Sequence, residues 1–217
     1  LDECDERLDM GFRGDIEKIN GKIGDCQRLC FSATIPKNIR DFIERITSSP
    51  EYIKTTLGGD EIPKIRQFYS VVKDAQRVGA ALKIIDSENY GVVMIFCNTK
   101  TRADKVCYAL TSKGRSAAVI HSDLPQSVRT QIIKRFKAKE ISILVATDVA
   151  ARGLDVDGVQ AFINFDPPTD CDFYVHRIGR TARADKDGAA YTLIDSSQVG
   201  YVPSYQKVSD NGLQYKD

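Results

Sequence analysis

Residues 91–121 read GVVMIFCNTKTRADKVCYALTSKGRSAAVIH. The run GVVMIFCN (91–98) is almost continuously apolar and β-branched or aromatic, the pattern of a strand buried on both faces. TKTRADKVCYALTSKG (99–114) carries its apolar residues at helical spacing, and Gly114 stands where a helix stop belongs. SAAVIH (116–121) is again a short apolar run. Strand, helix and strand in this order make a βαβ unit, which implies parallel strands.

The alternation continues on both sides. IRQFYSVV (65–72), ISILVAT (141–147), VQAFINFD (159–166) and AAYTLID (189–195) read as further strands. DAQRVGAALKIIDSEN (74–89), PQSVRTQIIKRFKAKE (125–140) and CDFYVHRIGRTAR (171–183) read as helices, with Pro125 in a first turn. The expectation for 61–217 is one doubly wound parallel α/β domain. A smaller pattern precedes it: a helix near 8–20, a strand QRLCFSA (27–33) and a helix PKNIRDFIERI (36–46). These elements, in 1–47, are too few to close a core of their own. The Pro, Ser and Gly-Gly content of 48–60 predicts a linker there.

Composition sets the bounds. With 42% hydrophobic and 28% charged residues in 217, the chain has the balance of a soluble globular protein. The formal net charge of +1 means that any polyanion site is a local patch. Six cysteines, mostly inside apolar runs, and only two histidines predict buried, reduced thiols, neither zinc ligands nor disulfides. No run approaches the length of a membrane span, and the start has neither a basic nor a hydrophobic signal region, so a cytoplasmic location is expected. The chain opens on Leu1 within an acidic motif, so a truncated N-terminus is also expected.

Ligands of an open parallel sheet collect beyond the carboxyl ends of its strands, here after Phe96, Ile120, Val145 and Phe165. After ISILVAT come Asp148, Arg152, Gly153 and Asp155, with Thr147 beside them. After SAAVIH, Gln126 and Arg129 stand at i, i+3 in a first helical turn, where free amides can also receive a phosphate. The cations farther along that helix suit a solvated face. In HRIGRTAR (176–183), His176, Arg180 and Arg183 share one stripe, with no acid between Tyr174 and Ala184, so an anion is the expected partner. Asp2, Glu3 and Asp5 suit a Mg²⁺–nucleotide site, although three acids in a surface loop are common. G-x-x-x-x-G-K-[ST] is absent from these residues, and the missing G-x-G-x-x-G sets aside a dinucleotide dehydrogenase.

DECD (2–5), SAT (32–34), VVMIFCNTK (92–100), ATDVAARGLDV (146–156) and HRIGRTAR (176–183), in this order and with LDMGF after the first, resemble the ordered motifs of the DEAD-box ATP-dependent RNA helicases, and the general run resembles bacterial members. The resemblance covers residue 2 to about 195. It implies RecA-like lobes with ATP and RNA bound across a cleft: an incomplete piece of the first in 1–47, and the helicase C-terminal lobe in 61–217. On that pattern Asp2 helps hold Mg²⁺, Glu3 activates the attacking water, and Ser32 and Thr34 couple the acidic motif to RNA. Asp155 reaches the ribose, Arg180 and Arg183 act as arginine fingers, and His176 links to the acidic motif. Gln126, Arg129 and Thr147 contact the RNA backbone. Cys4, Ala182, Ser122 and Asp185 depart from the usual residues, the last three where glycine is common, which predicts strain if φ is positive there and reduced activity. The alternative from another class is a non-catalytic RNA- or protein-binding module with the same fold.

Overall fold

The computed structural model describes all residues except 10, 33–34, 54–64, 152–153, 155, 157, 169–172, 175–176, 178–187, 208–211 and 217. The chain divides into two compact units, Leu1–Gly58 and Gly59–Asp217.

The first unit holds α1 (Cys4–Asp9), α2 (Arg13–Lys22) and α3 (Lys37–Ile46). The single helix expected near 8–20 is broken at Gly11, whose φ of 85° lies in the left-handed region that ends helices. The strand expected over 27–33 does not form among the described residues. Leu29 and Phe31 bond the backbone of Leu1, but the neighbouring chain turns into α1 at Cys4, which leaves too few rungs for a ladder. α3 forms as expected and buries Ile39, Phe42 and Ile43.

In the second unit seven strands form one all-parallel sheet: β1 (Ile65–Val71), β2 (Val93–Phe96), β3 (Ala117–Ile120), β4 (Ile143–Ala146), β5 (Ala161–Asn164), β6 (Gly188–Ile194) and β7 (Leu213–Tyr215). The order is β3-β4-β2-β5-β6-β1-β7. Six of these are the expected strands. β7 carries no sequence signal, since three residues cannot display an alternation, and it is held by pairing with Gln67–Tyr69 of β1. Among the described residues the further α-helices are α4 (Arg77–Ser87), α5 (Lys100–Ser112), α6 (Gln126–Lys137), α7 (Asp148–Ala151) and α8 (Val202–Lys207). No helix among the described residues is long and apolar enough to cross a membrane.

Alternation along the buried strands sends successive residues to opposite faces. Val93, Ile95, Ile143, Val145, Ile163, Tyr191 and Leu193 meet Ala81, Ile84 and Ile85 of α4 and Ala103, Val106 and Leu110 of α5. Met94, Phe96, Leu144, Ala146 and Phe162 meet Phe136 of α6 and Ala150 and Ala151 of α7. A third cluster gathers Tyr174, Ala190, Ile194, Val202 and Tyr205, with the Tyr174 and Tyr205 rings stacked 4.5 Å apart. Register decides where the loops emerge. Phe96 lies opposite both Ala146 and Asn164, and Ile120 opposite Ala146, so β2, β3, β4 and β5 end level along one edge.

α5 shows how local sequence fixes that edge. Thr99 Oγ1 accepts from the Arg102 amide (3.2 Å) and caps the helix start. At its end Gly114, with φ 76°, lets Arg115 N reach Leu110 O (3.1 Å) and Gly114 N reach Thr111 O (2.9 Å). No atom outside its own chain neighbours lies within 4 Å of a Cβ added to Gly114, so backbone conformation alone is at stake. Gly114→Ala is expected to destabilise the chain by about 1 kcal/mol in urea titrations, with an unchanged m-value.

Candidate functional site

The level strand ends converge on one buried guanidinium. Arg177 is 2% exposed, and each of its five N–H donors has an acceptor. Nε and Nη2 hold Asp148 Oδ1 and Oδ2 in a fork at 2.6 and 2.7 Å. Nη2 also donates to Asn98 Oδ1 (2.9 Å), and Nη1 to Asn164 Oδ1 (3.2 Å) and Asp166 O (2.9 Å). The group lies 5.1 Å from the centre of the Phe96 ring. Asn98 follows β2, Asp148 follows β4, and Asn164 and Asp166 close and follow β5, so one side chain from HRIGRTAR fastens three strand exits.

A second buried arginine also uses Asp166, through its carboxylate. Arg77 Nη1 donates to Phe165 O (2.9 Å) and Asp166 Oδ1 (3.0 Å), and Nη2 to Gln198 Oε1 (2.6 Å). Arg102 Nε lies 3.3 Å from Asp166 Oδ1, its Nη1 donates to Asp74 Oδ2 (3.0 Å), and its guanidinium covers the Phe165 ring. Asn98 N closes the circuit on Asp166 Oδ2 (3.2 Å). The hydrogen bond from Arg102 holds the Asp74 carboxyl below the ordinary aspartate range. Burial pushes the Cys97 thiol, beside this network, well above a free thiol.

The expected RNA-facing residues lie on the same edge. Gln126 and Arg129 occupy the first turn of α6, with Arg129 Nη1 donating to Gln126 Oε1 (3.1 Å) and Arg129 Nε buried without a hydrogen-bond acceptor. Thr147 is 7% exposed, and its carbonyl accepts from Ala150 (3.1 Å) and Ala151 (3.0 Å) to start α7, so only a small part of it faces outward. Arg135, one of the cations farther along α6, pairs with Glu140 at the helix end, as a solvated face would.

In the first unit the acidic motif is locally strained. Glu3 has φ 53°, unusual for a residue with a Cβ, and is held by its amide on Asp2 Oδ1 (3.0 Å), by its carbonyl accepting from Arg7 N (3.0 Å) and by Cys4 N on Phe31 O (3.0 Å). Asp2 is exposed and Asp5 is buried. The Asp5 amide donates to Ser32 Oγ (3.2 Å), which joins DECD to SAT directly. Cys4 is wholly buried, and burial together with the neighbouring Cys30 pushes its thiol up to about 12. The expected uniform burial of cysteines is corrected at Cys26, which is exposed on a polar connection, and Cys30 and Cys107 are half-buried. Thr34, Asp155, His176, Arg180 and Arg183, with the departures Ala182 and Asp185, lie outside the described residues, and Ser122 is exposed after β3.

Residues 76–185 match the model of the helicase conserved C-terminal domain, and residues 1–42 that of the DEAD/DEAH box helicases. The chain belongs to the DEAD-box RNA helicase family. It is 40% identical over 99% of its length to the DEAD-box ATP-dependent RNA helicase CshA of Geobacillus kaustophilus, and covers 46% of that protein. It thus spans about half the length of this curated relative. Among solved structures, Dbp5 of Saccharomyces cerevisiae bound to RNA and ADP BeF3 matches all of the chain and 58% of its own at TM-score 0.85 and 28% identity. A DEAD box protein from Methanococcus jannaschii matches all of the chain and 59% of its own at TM-score 0.66 and 34% identity. The all-parallel sheet is that of a RecA-like helicase lobe.

Read from sequence, the anion expected for HRIGRTAR belongs to His176, Arg180 and Arg183, which lie outside the described residues. Arg177, to which the sequence reading gave no role, has its anion in Asp148 at the start of α7. The missed signal was the recurrence of a polar residue two positions past the ends of β2, β4 and β5: Asn98, Asp148 and Asp166, of which only Asp148 was singled out. Arg177→Lys, which keeps the charge but has three donors for five acceptor positions, should lower unfolding free energy by about 3–5 kcal/mol in denaturant titrations. A depressed carboxyl contributes stability above the ordinary aspartate range and loses it as pH falls through its folded pKa. Asp74 should therefore titrate below ordinary aspartates by NMR, and return to their range in Arg102→Met.

Proposed function

We propose that this chain serves an ATP-dependent RNA helicase, with residues 61–217 as the C-terminal RecA-like lobe, 1–47 as a piece of the first lobe and 48–60 as the linker. One observation carries the reading: the Arg177–Asp148 fork ties HRIGRTAR to ATDVAARGLDV at the edge where a doubly wound sheet takes ligands. With Arg177 fixed, Arg180 and Arg183 follow it by three and six residues and act on the γ-phosphate as arginine fingers, while Asp155 contacts the ribose and His176 the acidic motif.

Asp2 and Glu3 supply the acidic pair, with Glu3 orienting the attacking water and Ser32 and Thr34 coupling the pair to RNA. Among the described residues no three potential ligands converge on a metal. The exposed Asp2 carboxylate fits a magnesium ion held by one carboxylate, nucleotide oxygens and water. That ion, when bound, offsets charge on the transferred phosphoryl group. RNA lies along Gln126, Arg129 and Thr147, contacted through its backbone and read without base preference. The Arg129 guanidinium, in a helix first turn with one buried donor unused, suits a phosphate oxygen. ATP-driven closure across these contacts separates short duplexes.

In the protein with both lobes complete, Arg183→Lys should lower RNA-stimulated ATP turnover by roughly 10³-fold or somewhat less, because Arg180 shares the task, with RNA affinity little changed. Unchanged turnover overturns the arginine-finger role. Arg129→Ala should leave basal hydrolysis intact and reduce the salt dependence of single-stranded RNA binding by about one phosphate contact, a slope change of about 0.7. Superimposable salt titrations of parent and variant overturn the RNA assignment. Residues 1–217 alone, which contain no phosphate-cradling motif, should not hydrolyse ATP above a Glu3→Gln control.

A further inference from the structure

The acidic segment holds a second chemistry. Cys4 stands between Glu3 and Asp5, and Cys30 two residues before Ser32. Leu1 N donates to Leu29 O (2.6 Å) and Phe31 N to Leu1 O (2.8 Å), which sets Leu1 opposite Cys30. Cys4 then folds back over that rung, its amide on Phe31 O (3.0 Å) and its Sγ on Leu1 O (3.4 Å). Cys30 packs against Cys4 in a cluster with Ile39 and Ile43. The Cys4 amide on the carbonyl of Phe31, the residue after Cys30, and the packing of the two side chains bring Cys4 and Cys30 side by side, and a disulfide bridges Cα atoms about 4.4–6.8 Å apart. Cys4 is fully buried and Cys30 half-buried, so a small oxidant meets Cys30 first.

We propose that Cys4 and Cys30 form a peroxide-sensitive dithiol whose disulfide staples the acidic motif to the segment leading into Ser32. The Cys30 thiolate attacks one oxygen of hydrogen peroxide, the O–O bond breaks, and the leaving hydroxide takes a proton to become water. The Cys4 sulfur then attacks the resulting sulfenic sulfur, the S–O bond breaks, and the hydroxyl departs with the Cys4 proton as a second water. Two thiols lose two electrons and two protons, and the peroxide gains both. A thiol reductant reverses the bond by exchange. Asp5 is already tied to Ser32 through its amide, so a bond at Cys4 would fix the segment on both sides. The effect on turnover rests on the function proposed above, whereas formation of the bond does not.

The test treats the full-length protein with a modest excess of hydrogen peroxide, blocks free thiols and maps tryptic peptides without reduction. Cleavage after Arg28 separates Cys26 from Cys30. The expected product joins the Cys4 and Cys30 peptides, lighter by two hydrogens than their sum, present in Cys26→Ser and absent in Cys30→Ser. RNA-stimulated ATP turnover should fall at least about fivefold in the parent, recover with dithiothreitol, and stay at its starting value in Cys30→Ser. A Cys4 thiol that remains alkylatable while Cys30 goes to sulfinic acid or joins Cys26 overturns the dithiol. A disulfide that forms with turnover unchanged overturns the staple as a switch. A mapped disulfide in a protein with no RNA-stimulated hydrolysis before oxidation supports the dithiol and overturns the functional reading instead.

Discussion

A guanidinium taken out of water costs several kcal/mol, and that cost is offset only where every donor finds an acceptor and a carboxylate stands opposite. Arg177 meets both conditions, with a forked Asp148 and three further acceptors. The constraint runs in both directions. Acceptors from three loops reach one side chain only because β4, β2 and β5 are neighbours whose ends are level, about 4.8 Å apart from strand to strand. Once in place, the guanidinium holds those loops at fixed separations. Phe96 beneath it belongs to the same strand whose exit supplies Asn98, so core packing and polar network meet at one point.

Arg177 is consumed by the fold, as Arg77 is at the neighbouring loop, and Asp166 serves both. Lys would not replace Arg in either place, because the fixed planar fork matches several acceptors at once. The buried Arg177 fastens the exits of β2, β4 and β5 to one another. The first unit follows the same economy on a smaller scale, with the Asp5 amide on Ser32 and a left-handed Glu3 whose amide donates to Asp2 Oδ1 and whose carbonyl accepts from Arg7 N.

Much of the fold was legible because buried parallel strands read as apolar runs and the helices between them carry plain stops. Gly114 and Pro125 marked true helix ends, and all six strands expected in 61–217 formed. What was not legible depended on pairing at a distance. β7 exists only because β1 offers an edge, and among the described residues of 27–33 no strand forms, Leu29 and Phe31 meeting only Leu1 and Cys4 before the neighbouring backbone turns into α1. Gly11 was visible in the sequence, but a break and a tolerated glycine look alike there. At the site, Gln126 and Arg129 lie in a helix first turn as expected, whereas Thr147 is more buried than a surface contact would suggest. The Arg177 network escaped detection because its partners are 11 to 79 positions away. A stripe of like charge in one helix says nothing of acids arriving from other loops.

The loops of this edge depend on Arg177 and Asp148 acting as a unit, and a double-mutant cycle measures that most directly. Arg177→Met, Asp148→Leu and the double variant would be unfolded in urea alongside the parent. Each single change leaves a buried partner without its counterpart, so the double variant should be less damaged than the sum of the two, with a coupling of about 2 kcal/mol or more. Additivity within about 0.5 kcal/mol would mean that the two side chains are held independently, and would contradict the claim that their pairing fixes the loops of this edge.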